Sequence, residues 1–160
     1  MNLNQSGFPI MKKAVFRYIY VIILFFTAIT GFGQMPIFKR YYIADIPGLG
    51  WLAEFYTTHY IHYLCAVMIL GILSYILIEY LMIYKRDYKL MISGYIRGIL
   101  LTAIIITGIL LVIRNLTGYW FSPGEIIFLD FAHLGLVLIF LMIALYALIF
   151  KKKYCTPVNG

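Results

Sequence analysis

Three histidines are the residues of this chain whose type and placement could do chemistry. His59 and His62 lie one helical turn apart near the start of a long apolar run, and His133 lies near the start of another. A histidine inside a membrane span is costly and usually has a function. Imidazole nitrogens bind metal ions and relay protons, and two imidazoles on different helices can hold a haem iron from both faces of the ring.

The composition indicates which elements must position these histidines. The chain has 160 residues, of which 64% are hydrophobic and only 12% are charged. A soluble domain averages about half apolar and a quarter charged residues. The apolar residues here are gathered in long blocks, which indicates an integral membrane protein. The net charge of +7 lies mainly at the ends of the apolar blocks. That arrangement is typical of membrane proteins and does not indicate nucleic-acid binding.

The apolar blocks predict an all-α, four-helix transmembrane bundle in a single membrane domain over residues 1–160. The first block could instead be a secretory signal peptide that ends at Gly31-Phe32-Gly33. A short loop over 84–89, a turn from Arg114 to Glu125 and a short tail after Lys153 complete the prediction. No internal repeat is evident. The predicted helices are 14–33, 55–84, 92–113 and 126–150, with 34–54 as the outer connection.

The basic residues predict the orientation of the chain. Ten lie on one side of the predicted spans, and only Lys39, Arg40 and Arg114 lie on the other. Positive residues collect on the cytoplasmic side of membrane proteins. Both termini are therefore expected in the cytoplasm, in a multi-pass protein of a bacterial inner membrane.

This orientation gives each histidine a depth. A rise of 1.5 Å per residue puts His62 and His133 roughly 10–12 Å below the outer boundary, at matching depth. They are therefore the predicted axial ligands of one haem. His59 lies about 4.5 Å nearer the surface on the same helix face, and we expect it to face the haem propionates or a quinone head group. The reverse assignment, with His59 as the ligand, stays open.

Two charged residues lie near the predicted haem. Arg114 follows the third span and is expected to pair with the propionates, or alternatively to reach lipid head groups. Asp130 precedes His133 by one turn and could orient a histidine, carry protons to quinone, or be an interfacial charge. The histidines could also simply form hydrogen bonds between helices. The sequence lacks a Cys-x-x-Cys-His motif, so covalent c-type attachment is not indicated.

The pattern resembles a family of membrane cytochrome b subunits. Four helices, histidines on the second and fourth, and Thr30-Gly31 closing the first are similar to the cytochrome b subunits of formate dehydrogenases and nickel-iron hydrogenases and to bacterial cytochrome b561. The resemblance implies a haem b subunit, not an enzyme by itself. It implies that this subunit carries electrons between an iron–sulfur or multihaem partner and the quinone pool.

The resemblance has one coherent departure. The family commonly holds a second, inner haem whose ligands are histidines early in the first helix and late in the fourth. This chain has no histidine at the corresponding places. The residues found there are Arg17, Tyr18 and Tyr20 in the first helix and Tyr146 and Ala147 in the fourth. The resemblance therefore implies one haem per chain, on the outer side. The alternative from another class is a non-redox anchor or assembly subunit of a respiratory complex, without haem.

Overall fold

The computed structural model describes residues 14–35 and 42–158. The structure is about 76% helical, and its described part contains four helices that are long and apolar enough to cross a membrane. The predominantly helical class is thus confirmed, as are four helices of sufficient length and apolar character to span a membrane. Lys39 and Arg40 lie outside the described residues. The helices are α1 (Ala14–Gly33), α2 (Phe55–Glu79), α3 (Ile92–Ile113) and α4 (Pro123–Ile149).

The predicted helix bounds are confirmed for three helices and corrected for the fourth. α2 continues through a π-helical turn at Tyr80–Tyr84, as the prediction of 55–84 requires. α4 begins at Pro123, so the prediction of a turn as far as Glu125 was wrong. Ser122 Oγ accepts from the Glu125 backbone N–H at 3.3 Å, and Glu125 Oε2 accepts from the Ser122 N–H at 2.7 Å. This capping box starts the helix, and Pro123 is tolerated at the first helical position because that N–H needs no helical partner.

The helices belong to two compact units, one built around α1 and α2 and the other around α3 and α4. In the first unit α1 packs against α2, and the connection between them contains two 3-10 turns, Ile43–Asp45 and Gly50–Ala53. Leu52 and Thr58 are fully buried at the end of α1. A Cβ at Gly33 would lie 3.2 Å from Leu52 Cδ2 and 3.3 Å from Thr58 Cγ2. The glycine thus lets the end of α1 lie directly on the start of α2.

In the second unit α3 packs against α4, and a short ribbon closes one end. Strand β1 (Tyr88–Leu90) pairs antiparallel with strand β2 (Cys155–Pro157), with Lys89 opposite Thr156. The sequence analysis assigns these residues to a loop and a tail, so the ribbon corrects it. Strands of three residues are too short to show the alternation that predicts a strand.

Arg97 fastens the C-terminal segment to α3. Its side chain is buried, and Nη2 donates to Ser93 Oγ at 2.7 Å and to the Lys152 carbonyl at 3.4 Å. The guanidinium lies 3.8 Å from the centroid of the Tyr154 ring. A charged group on an apolar helix needs such partners because the hydrocarbon offers none, and an aromatic face attracts a cation. The charge therefore holds the tail in place.

Gly94→Ala is expected to loosen this segment, because a Cβ at position 94 would lie 2.5 Å from the Tyr154 carbonyl oxygen. Overpacking of this kind costs about 1–3 kcal/mol. Cys155, which is buried in β2, reports the change. In a Cys65→Ala background, maleimide labelling of Cys155 in detergent should accelerate by about tenfold or more, as expected if opening becomes easier by this amount.

Gly98→Ala is the matched control one turn away, because a Cβ there meets no described atom within 4 Å. It should label at the parent rate. Equal labelling of the two variants would contradict the contact between Gly94 and Tyr154.

Candidate functional site

In the first unit, His62 on α2 lies against the backbone of α1. Its Nδ1 is 2.9 Å from the Thr27 carbonyl oxygen and 3.3 Å from Thr30 Oγ1. A Cβ at Gly31 would lie 3.1 Å from His62 Cε1. Gly31 follows Thr27 by four residues, one helical turn, so the absent side chain is the one that would cover this carbonyl. The imidazole can therefore reach a backbone oxygen inside an apolar helix pair.

The hydrogen bonds around His62 determine its tautomer. The Thr30 hydroxyl donates to the Phe26 carbonyl at 2.6 Å, as threonines inside helices commonly do. Its oxygen is therefore left to accept, and a carbonyl oxygen can only accept. Both partners require that His62 Nδ1 carries the hydrogen. In a neutral imidazole the lone pair is then on Nε2, and a lone pair of this type can bind a metal.

In the second unit, His133 on α4 is held in the same way by α3. Its Nδ1 is 2.9 Å from Thr107 Oγ1, and the Ile104 backbone is a second polar neighbour of the imidazole. The Thr107 hydroxyl has one proton and lies 3.0 Å from the carbonyl oxygens of both Ala103 and Ile104. With that proton donated to its own helix, as is common for threonines inside helices, its oxygen accepts from Nδ1–H. A Cβ at Gly108 would lie 3.4 Å from His133 Cε1. His133 therefore has the same tautomer as His62.

The two histidine environments repeat each other. Thr30-Gly31 in α1 corresponds to Thr107-Gly108 in α3, and in each unit a backbone neighbour of the histidine lies three residues before the threonine. His62 follows Glu54 by eight residues, and His133 follows Glu125 by eight. A tyrosine follows each histidine after thirteen residues: Tyr75 and Tyr146.

No internal repeat is evident along the sequence, and the correspondence between the two histidine environments becomes visible from their contacts. The matching residues are few, and their offset changes within the repeat. It is 77 residues between α1 and α3 but 71 residues between α2 and α4, because the two connections differ in length. A search at one fixed period therefore misses the match.

His59 contacts the same end of α1 as His62. Its Nδ1 donates to Gln34 Oε1 at 3.1 Å, and Gln34 Nε2 donates to the Thr30 carbonyl at 3.4 Å. The imidazole stacks on Phe55, with 5.2 Å between ring centroids, and lies 4.2 Å from the Tyr63 ring. Two of the three predicted site histidines are thus brought together at one end of the α1–α2 pair.

In the repeat, the position of His59 is taken by Asp130. Arg114 Nη1 donates to Asp130 Oδ1 at 2.9 Å and to Oδ2 at 3.0 Å, which joins the end of α3 to α4. The side chains are 25% and 51% exposed, respectively. Asp130 therefore has an arginine partner that the sequence analysis did not assign to it. An arginine and an aspartate sixteen residues apart on different helices give no local sequence signal.

A site for a metal ion held by the protein alone would need more donors than these. Among residues 14–35 and 42–158, no group of three or more His, Cys, Asp or Glu side chains could hold a metal ion. A haem iron needs fewer protein ligands, because the porphyrin supplies the equatorial ligands and the chain supplies only axial ones. Sequence reasoning did not predict that a Thr-Gly dipeptide contacts each of these two histidines. The only signal in the sequence is that the dipeptide occurs at both Thr30-Gly31 and Thr107-Gly108.

Gly31→Ala is expected to displace His62 from the Thr27 carbonyl, because the new Cβ would lie 3.1 Å from the imidazole. The expected cost is about 1–3 kcal/mol, measured as a lower melting temperature in detergent. Gly108→Ala should cost less, since its contact at 3.4 Å is an ordinary van der Waals distance. Gly71→Ala, with no described atom within 4 Å, controls for the alanine itself. Equal melting temperatures for the Gly31 and Gly71 variants would contradict the close approach of His62 to α1.

Comparisons with protein-family models, with curated proteins and with solved structures find no match for this chain. Its function is therefore argued from the two histidine environments and the four apolar helices.

Proposed function

We propose that this chain is a membrane-embedded b-type cytochrome subunit that carries electrons between a partner redox subunit and the quinone pool. One observation carries the proposal: His62 and His133 both donate Nδ1–H to a neighbouring helix. Histidines that bind metals through one ring nitrogen almost always donate the other N–H to a carbonyl, carboxylate or water. That bond fixes the ring orientation and makes the imidazole a stronger ligand.

His62 and His133 would supply the two axial imidazoles, and their donor sets fit that role. A haem bound by two imidazoles supplies reversible one-electron transfer and leaves no open position for oxygen chemistry. The residues of the chain do the rest. The Thr27 carbonyl and the Thr107 hydroxyl orient the imidazoles, and the apolar helices keep water from them.

The internal repeat favours His62 over His59 as the ligand. His62 is the residue that corresponds to His133, both in sequence and in its contact with a Thr-Gly pair. His59 corresponds to Asp130, which is not a haem ligand by type. We propose that His59 faces the propionates or a quinone head group. Arg114 remains a proposed propionate partner, since a guanidinium carries five donors and Asp130 takes those of Nη1.

The proposed topology has both termini in the cytoplasm of a bacterial inner membrane, with an iron–sulfur or multihaem partner on the outer face. The excess of basic residues on the side of the termini supports it. We further propose that α1 is retained and is not a cleaved signal peptide. Two residues that hold His62, Thr27 and Thr30, belong to α1.

The second candidate is a membrane anchor without haem. It is favoured by the fact that His62 and His133 form hydrogen bonds to a neighbouring helix and His59 forms one to Gln34, the residue that follows α1. Such bonds stabilise helix pairs in a membrane by about 0.6–2 kcal/mol each. On this alternative the histidines would join helices and do nothing else.

A reduced-minus-oxidised visible spectrum decides between the two candidates. The purified chain should show a low-spin b-type signal at one haem per chain. His62→Ala and His133→Ala should each lose the haem, because an axial ligand is removed. His59→Ala is the matched control and should keep it. A folded wild-type protein without haem would support the anchor, and loss of haem in His59→Ala with retention in His62→Ala would transfer the ligand role to His59.

Fusions test the topology. A fluorescent protein joined after Gly160 should fluoresce, and alkaline phosphatase joined at the same place should be inactive, because the C-terminus is expected in the cytoplasm. Phosphatase joined after Gly118, in the connection between α3 and α4, should be active. The opposite pattern at both sites would invert the proposed orientation.

A further inference from the structure

The two threonines that face the histidines differ in how closely they approach Nδ1. Thr107 Oγ1 is 2.9 Å from His133 Nδ1, whereas Thr30 Oγ1 is 3.3 Å from His62 Nδ1. His62 has a closer acceptor in the Thr27 carbonyl, at 2.9 Å. The hydroxyl is thus 0.4 Å closer to His133 than to His62, and for His62 a carbonyl is the nearer acceptor.

Both hydroxyls have carbonyl acceptors on their own helices, which leaves their oxygens able to accept from the imidazoles. Thr30 donates to the Phe26 carbonyl and Thr107 to the carbonyl of either Ala103 or Ile104. Their protons are therefore directed back along their own helices, and lone pairs face the imidazoles. An acceptor at Nδ1–H increases the electron density of the ring and makes the other nitrogen a stronger ligand. A stronger axial donor favours the ferric over the ferrous state and so lowers the reduction potential.

We propose that Thr107 is a positioning residue that lowers the potential of the haem by accepting from His133 Nδ1–H, and that Thr30 does the same more weakly through His62. This inference rests on the proposed cytochrome function. It predicts unequal effects from two threonines that occupy equivalent places in the repeat, because their distances to the imidazoles differ.

The test is a potentiometric titration of the haem-loaded chain with three valine variants. Valine has nearly the shape of threonine but cannot accept a hydrogen bond. Thr107→Val should raise the midpoint potential, and Thr30→Val should raise it less. Thr102→Val is the matched control on α3, since its hydroxyl is exposed and bonds back to the Gly98 carbonyl. It should leave the potential unchanged. Thr107→Ser keeps the hydroxyl and should restore the wild-type potential.

A second readout separates hydrogen bonding from a general disturbance of the structure. The g-values of the low-spin ferric haem report the donor strength of its axial imidazoles, and they should shift in Thr107→Val but not in Thr107→Ser or Thr102→Val. Loss of haem in Thr107→Val with full haem and normal potential in Thr107→Ser would also support the role of the hydroxyl.

Three outcomes would overturn the inference. These are unchanged potentials and g-values in Thr107→Val, a larger shift in Thr30→Val than in Thr107→Val, and equal loss of haem in Thr107→Val and Thr107→Ser. Each presupposes that the wild-type chain holds haem. Absence of haem from the wild-type protein would instead overturn the proposed function, so the two failures are distinguishable.

Discussion

The described structure depends on one constraint: an imidazole between apolar helices must have its N–H satisfied by the protein. Within a membrane no water would be available there, and an unsatisfied polar group would cost several kcal/mol. A helical carbonyl already accepts within its helix, but it has a second lone pair that a neighbouring side chain can reach where the surface is not covered. Gly31 and Gly108 leave that surface open next to the imidazoles, and the adjacent threonines add a hydroxyl acceptor. Each Thr-Gly pair therefore allows a histidine to pack against the helix, because the glycine leaves space and the threonine adds a hydrogen-bond acceptor.

The same Thr-Gly contact with a histidine occurs once in each unit. This recurrence favours a shared role in binding a cofactor over a role in joining helices alone. One histidine bonded to a helix could be explained as a link between two helices. His62 and His133 share the tautomer, a backbone neighbour three residues before the threonine, and a glycine after it. The two histidines therefore present the same nitrogen in the same chemical state. A pair of equivalent donors is what a cofactor with two equivalent axial positions requires. The repeat thus connects the helix packing to the proposed chemistry.

The chain uses its other polar groups in spans or at their ends according to the same logic. Arg97 is buried, and its guanidinium contacts the Ser93 hydroxyl and the Lys152 carbonyl through Nη2 and lies over the Tyr154 ring, whereas its Nε has no hydrogen-bond partner among the described residues. Arg114 pairs with Asp130 through both carboxylate oxygens. In the first case the charge holds the C-terminal segment on α3, and in the second it ties α3 to α4. Each of these two arginines thus contacts at least one group from another element, although Glu79 Oε2 is buried without a partner among the described residues.

The sequence by itself determined the class of the protein, its four spanning helices and which residues could bind a cofactor. Those features depend on local composition: the apolar blocks over 14–33 and 92–113 match α1 and α3 residue for residue, because the length of a span is set by the membrane. Only the tertiary structure decided what each histidine contacts, that the contacts repeat, that Arg114 pairs with Asp130 and that the tail forms a strand. These contacts join residues from 16 to 69 positions apart on different elements. Such partners leave no periodic signal, because their meeting is set by how helices pack and not by the order of residues along either one.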